Sequence, residues 1–133
     1  MTAALAGMPT RAELEDAALS ALQRYLATNR FMPVPPPGMH DVGDGDFRAI
    51  GAEFLGHFVR FGALTPTEAV LDIGCGLGRM AIPLTQYLQA PRGTYRGVDI
   101  VASAIAWKPS VSRCQMRSTT SAFSVGVVPI NGG

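Results

Sequence analysis

Val70-Leu71-Asp72-Ile73-Gly74-Cys75-Gly76-Leu77-Gly78-Arg79 is the stretch that decides how this chain is read. From Ala69 to Ile73 it is a short apolar run with a β-branched bias, following a turn at Thr65–Glu68, and this predicts a buried parallel strand. A strand that ends in Asp-x-Gly-x-Gly-x-Gly must bend sharply. Glycine permits positive φ and puts no Cβ between the backbone and a ligand. Such a bend offers free N–H groups and, where a helix follows, the positive end of its dipole. The spacing of Met80, Leu84 and Leu88 predicts a helix over Arg79–Gln89, which Pro83 fits only within the first turn. Pro91-Arg92-Gly93 breaks the chain, Tyr95–Ile100 reads as a second strand, and Ala102–Trp107 begins another helix. Strand, glycine bend, helix and strand make a right-handed parallel βαβ unit, whose binding crevice lies beyond the carboxyl ends of the strands.

Asp99 sharpens this reading. It closes the second strand about 20 residues beyond the glycines, where an acid can accept both hydroxyls of a ribose. Asp72 and Asp99 then flank one crevice. Two negative charges suit a ligand that carries an ammonium, a sulfonium and a ribose, and suit a pyrophosphate poorly. A dinucleotide-binding bend needs G-x-G-x-x-G, and Arg79 stands where its third glycine belongs. A P-loop is excluded, because no Gly-Lys-Ser/Thr occurs. The plainer alternative is a glycine turn that serves packing alone; the acid on the neighbouring strand tip argues against it.

The stretch resembles motif I of the class I S-adenosylmethionine (SAM)-dependent methyltransferases, and Tyr95-Arg96-Gly97-Val98-Asp99-Ile100 resembles their second-strand motif. The resemblance implies an α/β, Rossmann-like fold in partial form: N-terminal helices plus the first βαβ unit of the parallel sheet. It implies SAM as cofactor, with Gly74, Cys75, Gly76 and Gly78 lining its methionine part. Asp72 would lie near the amino group, directly or through water, Asp99 would hold the ribose, and Ile100 would pack on adenine. Methyl transfer to a small-molecule acceptor follows from the resemblance, with no general base assignable. Gly43-Asp44-Gly45-Asp46-Phe47 and the helix after it resemble the leader of a bacterial subgroup, in which loop and helix precede the core sheet and can close over SAM.

Outward from this core, Thr10-Arg11-Ala12-Glu13 is a capping box for a helix over 11–28, with Leu14, Ala18, Leu22, Tyr25 and Leu26 on one face. Asn29 and the prolines of 33–37 end it. Asp46 is the expected N-cap of a second helix. Its stripe Phe47, Ile50, Phe54, Phe58 and Phe61 is expected in the core against the sheet, and Gly62 is the expected C-cap. Four segments result: a helix over 1–29, a Pro/Gly loop and lid-like helix over 30–68, the βαβ core over 69–107, and an atypical tail over 108–133.

The tail is rich in Ser and Thr, contains no Asp or Glu, and shows no helical period. Ala122–Ile130 has the makings of one strand, yet nothing in the tail reads as the third strand of the sheet. The abrupt change after about residue 107 is the mark expected of a truncated or frameshifted continuation. A two-strand unit leaves an edge and an apolar face uncovered, so the isolated chain is expected to be aggregation-prone and weak or inactive in catalysis. The alternative is a non-catalytic fragment, or a partner-dependent module that keeps the βαβ core.

Bulk properties bound the rest. The chain has 133 residues, 47% hydrophobic and 16% charged, which suits one packed domain. A net charge of +1 argues against broad electrostatic binding to nucleic acid or an anionic membrane. No run of about 18 apolar residues predicts a membrane span. The first ten residues lack the basic region of a secretory signal, and Cys75 and Cys114 form no disulfide framework, so a cytoplasmic protein is expected. Asp41, Asp44 and Asp46 do not have EF-hand spacing, and His40 and His57 have no cysteine at zinc spacing, so no metal site is expected.

Overall fold

A computed structural model describes residues 7–39, 44–107 and 123–127. His40, Asp41, Gly43, Cys114 and the tail outside 123–127 lie beyond the described residues.

The first helix, α1 (Arg11–Thr28), starts as its sequence dictates. The Thr10 hydroxyl accepts from the Glu13 N–H at 3.2 Å, and the Thr10 N–H donates to Glu13 Oε2 at 2.7 Å. These bonds satisfy amides that the first turn leaves without a partner. Asn29 caps the other end through its N–H to the Tyr25 carbonyl. In α2 (Phe47–Arg60), the Asp46 carboxylate accepts from the N–H groups of Arg48 and Ala49 at 2.9 and 2.8 Å. Its end departs from expectation. Phe61, not Gly62, is the C-cap, and the residue with positive φ is Ala63, at +53°.

The buried faces of both helices are rotated from the apolar stripes. On α1 the buried residues are Leu19 and Leu26, with Leu22 packed beside them, whereas Leu14 and Tyr25 face solvent. On α2 the buried column is Phe47, Gly51, Ala52, Leu55 and Gly56. Phe58 is partly buried, Phe54 is 40% exposed and Phe61 82% exposed, so most of the predicted aromatic face is not core. The reason is close approach. A Cβ on Gly56 would overlap the Gln23 side chain of α1, and one on Gly51 would stand 2.6 Å from the Arg79 carbonyl. Small residues let α1 and the loop before the third helix approach the α2 backbone, and the helix turns that side inward. Gln23 Nε2 donates across the contact to the Ala52 carbonyl at 2.9 Å, and the Arg60 guanidinium donates to Asp16, Ser20 and Gln23.

The sheet contains β1 (Ala69–Ile73), β2 (Thr94–Asp99) and β3 (Phe123–Val127), parallel and in the order β1-β2-β3. β3 corrects the reading of the tail: a third strand lies within it and pairs with β2 from Tyr95↔Phe123 to Asp99↔Val127. Between β1 and β2 run the short helix α3 (Ala81–Tyr87) and the segment 88–93; α4 (Ala102–Ala106) follows β2. Pro83 is the third residue of α3, inside its first turn as required.

β1 is not buried on both faces. The register pairs Val70 with Tyr95 and Asp72 with Gly97, and side chains alternate along a strand, so Val70, Asp72, Tyr95, Gly97 and Asp99 share one face. That face of β2 is buried, with Tyr95 1% exposed, and Tyr95 joins Leu84, Leu88, Leu55 and Phe47 in the core. The opposite face of β1 carries Leu71 and Ile73, which are 61% and 78% exposed. Among the described residues, no helix is long and apolar enough to cross a membrane.

Candidate functional site

The carboxyl ends of β1 and β2 converge on the glycine bend. Gly74 and Cys75 both donate their N–H to the Val98 carbonyl, at 2.8 and 3.1 Å, so the loop first follows β2. Gly78 donates to the Cys75 carbonyl at 2.9 Å and closes the turn. Gly74, Gly76 and Gly78 all have positive φ, at +80°, +48° and +83°. A Cβ built on Gly74 or Gly76 meets nothing within 4 Å. Backbone conformation therefore requires glycine there, and the space beside those two residues is open.

Asp99 ties the second strand to this bend. It is 8% exposed, and its two oxygens face different amides. Gly76 N–H donates to Oδ2 at 2.6 Å, and Val101 N–H donates to Oδ1 at 2.8 Å. The carboxylate thus bridges the glycine bend and the segment that follows β2. The amide that meets this anion belongs to the loop and not to a helix. α3 begins at Ala81, two residues later than expected, and Met80 gives it no side-chain cap.

Asp72, Gly74, Cys75, Gly76 and Asp99 line one cavity of about 300 Å³, together with Phe47, Leu77, Arg79, Met80, Val101 and Ala104. That volume lies at the lower end for small-molecule sites. Two of the predicted residues fall elsewhere. Gly78 is buried behind the loop, where its carbonyl accepts from Ile82 N–H at 3.0 Å. Ile100 lies just past β2, 60% exposed, between Asp99 and Val101, which both line the cavity. A larger groove of about 790 Å³ runs between α1, the end of α2 and the end of α3, and it contains none of the predicted site residues.

Other residues complete the site beyond those predicted. Phe47 forms a wall of the cavity, with the Arg79 guanidinium 5.3 Å over its ring and Trp107 edge-on at 6.4 Å. Beneath the cavity, the Tyr95 hydroxyl donates to Asp72 Oδ2 at 2.8 Å. Burial, then the Asp72 carboxylate, then Cys75 push the Tyr95 phenol well above its ordinary range, so it stays a protonated donor. Gly97 makes this arrangement fit: a Cβ there would stand 2.8 Å from the Tyr95 hydroxyl and 2.9 Å from Cys75 Sγ. A glycine inside a strand marks such a close approach, and it is the signal that the sequence offered.

No family model matches the chain. Among solved structures, it is similar to a candidate RNA methyltransferase from Pyrococcus horikoshii, at 16% identity and a TM-score of 0.50, over 90% of this chain and 50% of the other. It also matches coclaurine N-methyltransferase bound to N-methylheliamine and S-adenosylhomocysteine (16% identity, TM-score 0.46, 92% of this chain and 38% of the other). A third match is a SAM-dependent methyltransferase from Anabaena variabilis (20% identity, TM-score 0.40, 87% and 39%). The chain thus spans half or less of the length of these proteins. Strand order, glycine bend and the Pyrococcus match agree: the chain has part of the Rossmann-like fold of the methyltransferases.

Proposed function

We propose that this chain binds SAM in the cavity between the glycine bend and Asp99, and that it serves methyl transfer to a small-molecule acceptor. The observation that carries the reading is the convergence of Asp72, open-sided Gly74 and Gly76, and doubly bonded Asp99 on one cavity. The donor set fits the group. Gly74 and Gly76 leave room for a ligand to lie against the backbone, Asp72 offers a carboxylate to an ammonium, and the Asp99 carboxylate at the cavity wall is the acid suited to a ribose diol. Cys75 is a small lining residue in this arrangement, Gly78 holds the turn, and Ile100, exposed beside the cavity, would be covered by adenine.

When bound, SAM supplies a methyl group already activated on a sulfonium, so the protein's work is placement and desolvation. Asp72 and Asp99 fix the two ends of the ligand, Phe47, Leu77 and Met80 keep water from its apolar parts, and Arg79 is held over Phe47 at the wall. Two carboxylates against one guanidinium leave the cavity net negative, which favours a sulfonium over a phosphate. Among the described residues, none is assigned as a general base. Turnover by the 133-residue chain alone is expected to be weak, because Leu71 and Ile73 leave one face of β1 uncovered.

Isothermal calorimetry with SAM and with S-adenosylhomocysteine tests the reading. Saturable one-site binding that is weakened by Asp99→Ala supports it. No heat and no thermal stabilisation with either ligand would sink it, and robust methyl transfer by the purified chain would refute the expected weakness.

A further inference from the structure

We infer that Tyr95 is a positioning residue for Asp72: through its hydroxyl it sets the carboxylate that meets the amino-acid end of the ligand. The inference rests on the SAM-binding reading above, and it adds a residue that touches no ligand. The register places Tyr95 beside Val70 and Gly97 beside Asp72, so Tyr95 and Asp72 are diagonal neighbours on one face of the sheet. A diagonal pair is bridged only by a long side chain with a clear path. Gly97 provides that path, since it has no side chain between the Tyr95 ring and Asp72. The phenol donates to Oδ2 at 2.8 Å from a position 1% exposed, so its own orientation is fixed by packing. Asp72 is half-buried and lines the cavity. With Oδ2 held from below, the carboxylate cannot turn freely about its last torsion, and Oδ1 is left for a ligand. Cys75 Sγ lies against the same Gly97 gap, so the arrangement also spaces the loop from the strand.

The test uses two ligands that differ only where Asp72 acts. S-adenosylhomocysteine carries the amino-acid end; 5′-methylthioadenosine lacks it and keeps the ribose and adenine. Tyr95→Phe preserves the ring and removes the hydroxyl. Calorimetry is expected to show S-adenosylhomocysteine weakened about ten-fold, equivalent to about 1.4 kcal/mol, with 5′-methylthioadenosine unchanged. Asp72→Ala should show the same selectivity, and the double variant should be no weaker than Asp72→Ala alone. Equal loss of both ligands, or additive losses, would overturn the inference in favour of a purely structural tyrosine. Should Tyr95→Phe not fold, the wild-type chain labelled at tyrosine Cζ keeps the test open. Of its three tyrosines, Tyr25 and Tyr87 are assigned by Phe replacement, and the Tyr95 resonance should shift with S-adenosylhomocysteine and stay in place with 5′-methylthioadenosine. A Tyr95 resonance that ignores both, or answers both alike, would also overturn it. A wild-type chain that binds neither ligand is the distinct failure of the SAM reading, and it removes this inference with it.

Discussion

Replacing Asp99 by alanine separates two roles that the structure assigns to one carboxylate. Without ligand, Asp99 staples the glycine bend to β2 by accepting from Gly76 and Val101 N–H groups. A hydrogen bond to a charged group contributes about 1.5–3 kcal/mol, and a buried donor left unpaired costs a similar amount. Val101 is 42% exposed, so water replaces its bond at little cost. Gly76 is half-buried and carries most of the loss, which gives a total of about 2–3 kcal/mol. For a domain of about 100 residues, that corresponds to roughly 8–24 °C in Tm. Asp99→Asn keeps one acceptor oxygen but turns an NH₂ toward the other amide, so about half the loss is expected. Thermal unfolding by circular dichroism reads these values, and the same melts with SAM read the second role. At a hundredfold excess over Kd, a ligand adds about 2.7 kcal/mol to the wild type; the alanine variant should lose most of that gain as well. An alanine variant within about 0.5 kcal/mol of wild type would refute the staple, since surface changes alone span that range. A variant that is destabilised but keeps full SAM affinity would refute the ribose role.

Three further outcomes follow from particular residues. The raised Tyr95 phenol stays protonated in the folded state while the unfolded chain ionises near pH 10. Its contribution is therefore complete below pH 10 and declines above it, by up to about 1.4 kcal/mol per pH unit; Tyr95→Phe should flatten that alkaline slope in denaturant titrations, and an unchanged slope would contradict the assignment. Ala63→Gly should stabilise the end of α2 by about 0.5–1 kcal/mol, because the strain of a left-handed non-glycine exceeds the entropy cost of glycine. Gly62→Ala should destabilise instead, with its Cβ 2.7 Å from the Phe58 carbonyl, and equal midpoints for the two variants in urea would contradict both. Leu71→Lys with Ile73→Thr should suppress concentration-dependent light scattering at nearly constant Tm, since both side chains face solvent; unchanged scattering would place the sticky surface elsewhere, for instance at exposed Phe54 and Phe61.

How much of this was legible in the sequence depended on whether the cause is local. Capping at Thr10 and Asp46, the limits of β1, the position of Pro83 and the positive φ of the glycine bend are set by neighbouring backbone, and all stand as read. Burial was not legible, because apolar character says what a position tolerates and not what stands opposite. Leu71 and Ile73 were expected inside a buried strand, and that side of β1 is largely open. In α2 the phenylalanines form the apolar stripe, but helices approach most closely through small residues, and the inward column runs through Gly51, Ala52 and Gly56. A strand was legible at Ala122–Ile130, but its place in the sheet was not, for a related reason: Phe123–Val127 shows no local pattern that specifies β2 as its partner.

The Tyr95–Asp72 contact marks where reading along a chain must stop. Alternation puts the two side chains on one face only once Val70 is known to lie beside Tyr95, and parallel register is fixed by the crossover and its packing, which no stretch of β1 or β2 encodes by itself. A shift of one residue would send Tyr95 to the opposite face of the sheet from Asp72, and no residue in either strand would look wrong. Gly97 is the exception, because a glycine in mid-strand weakens the strand unless something needs its space. What needs that space is a phenol and a thiol from either side of the site, so Gly97→Ala, which leaves the whole motif intact as a string, should damage the site as surely as a change within the glycine bend.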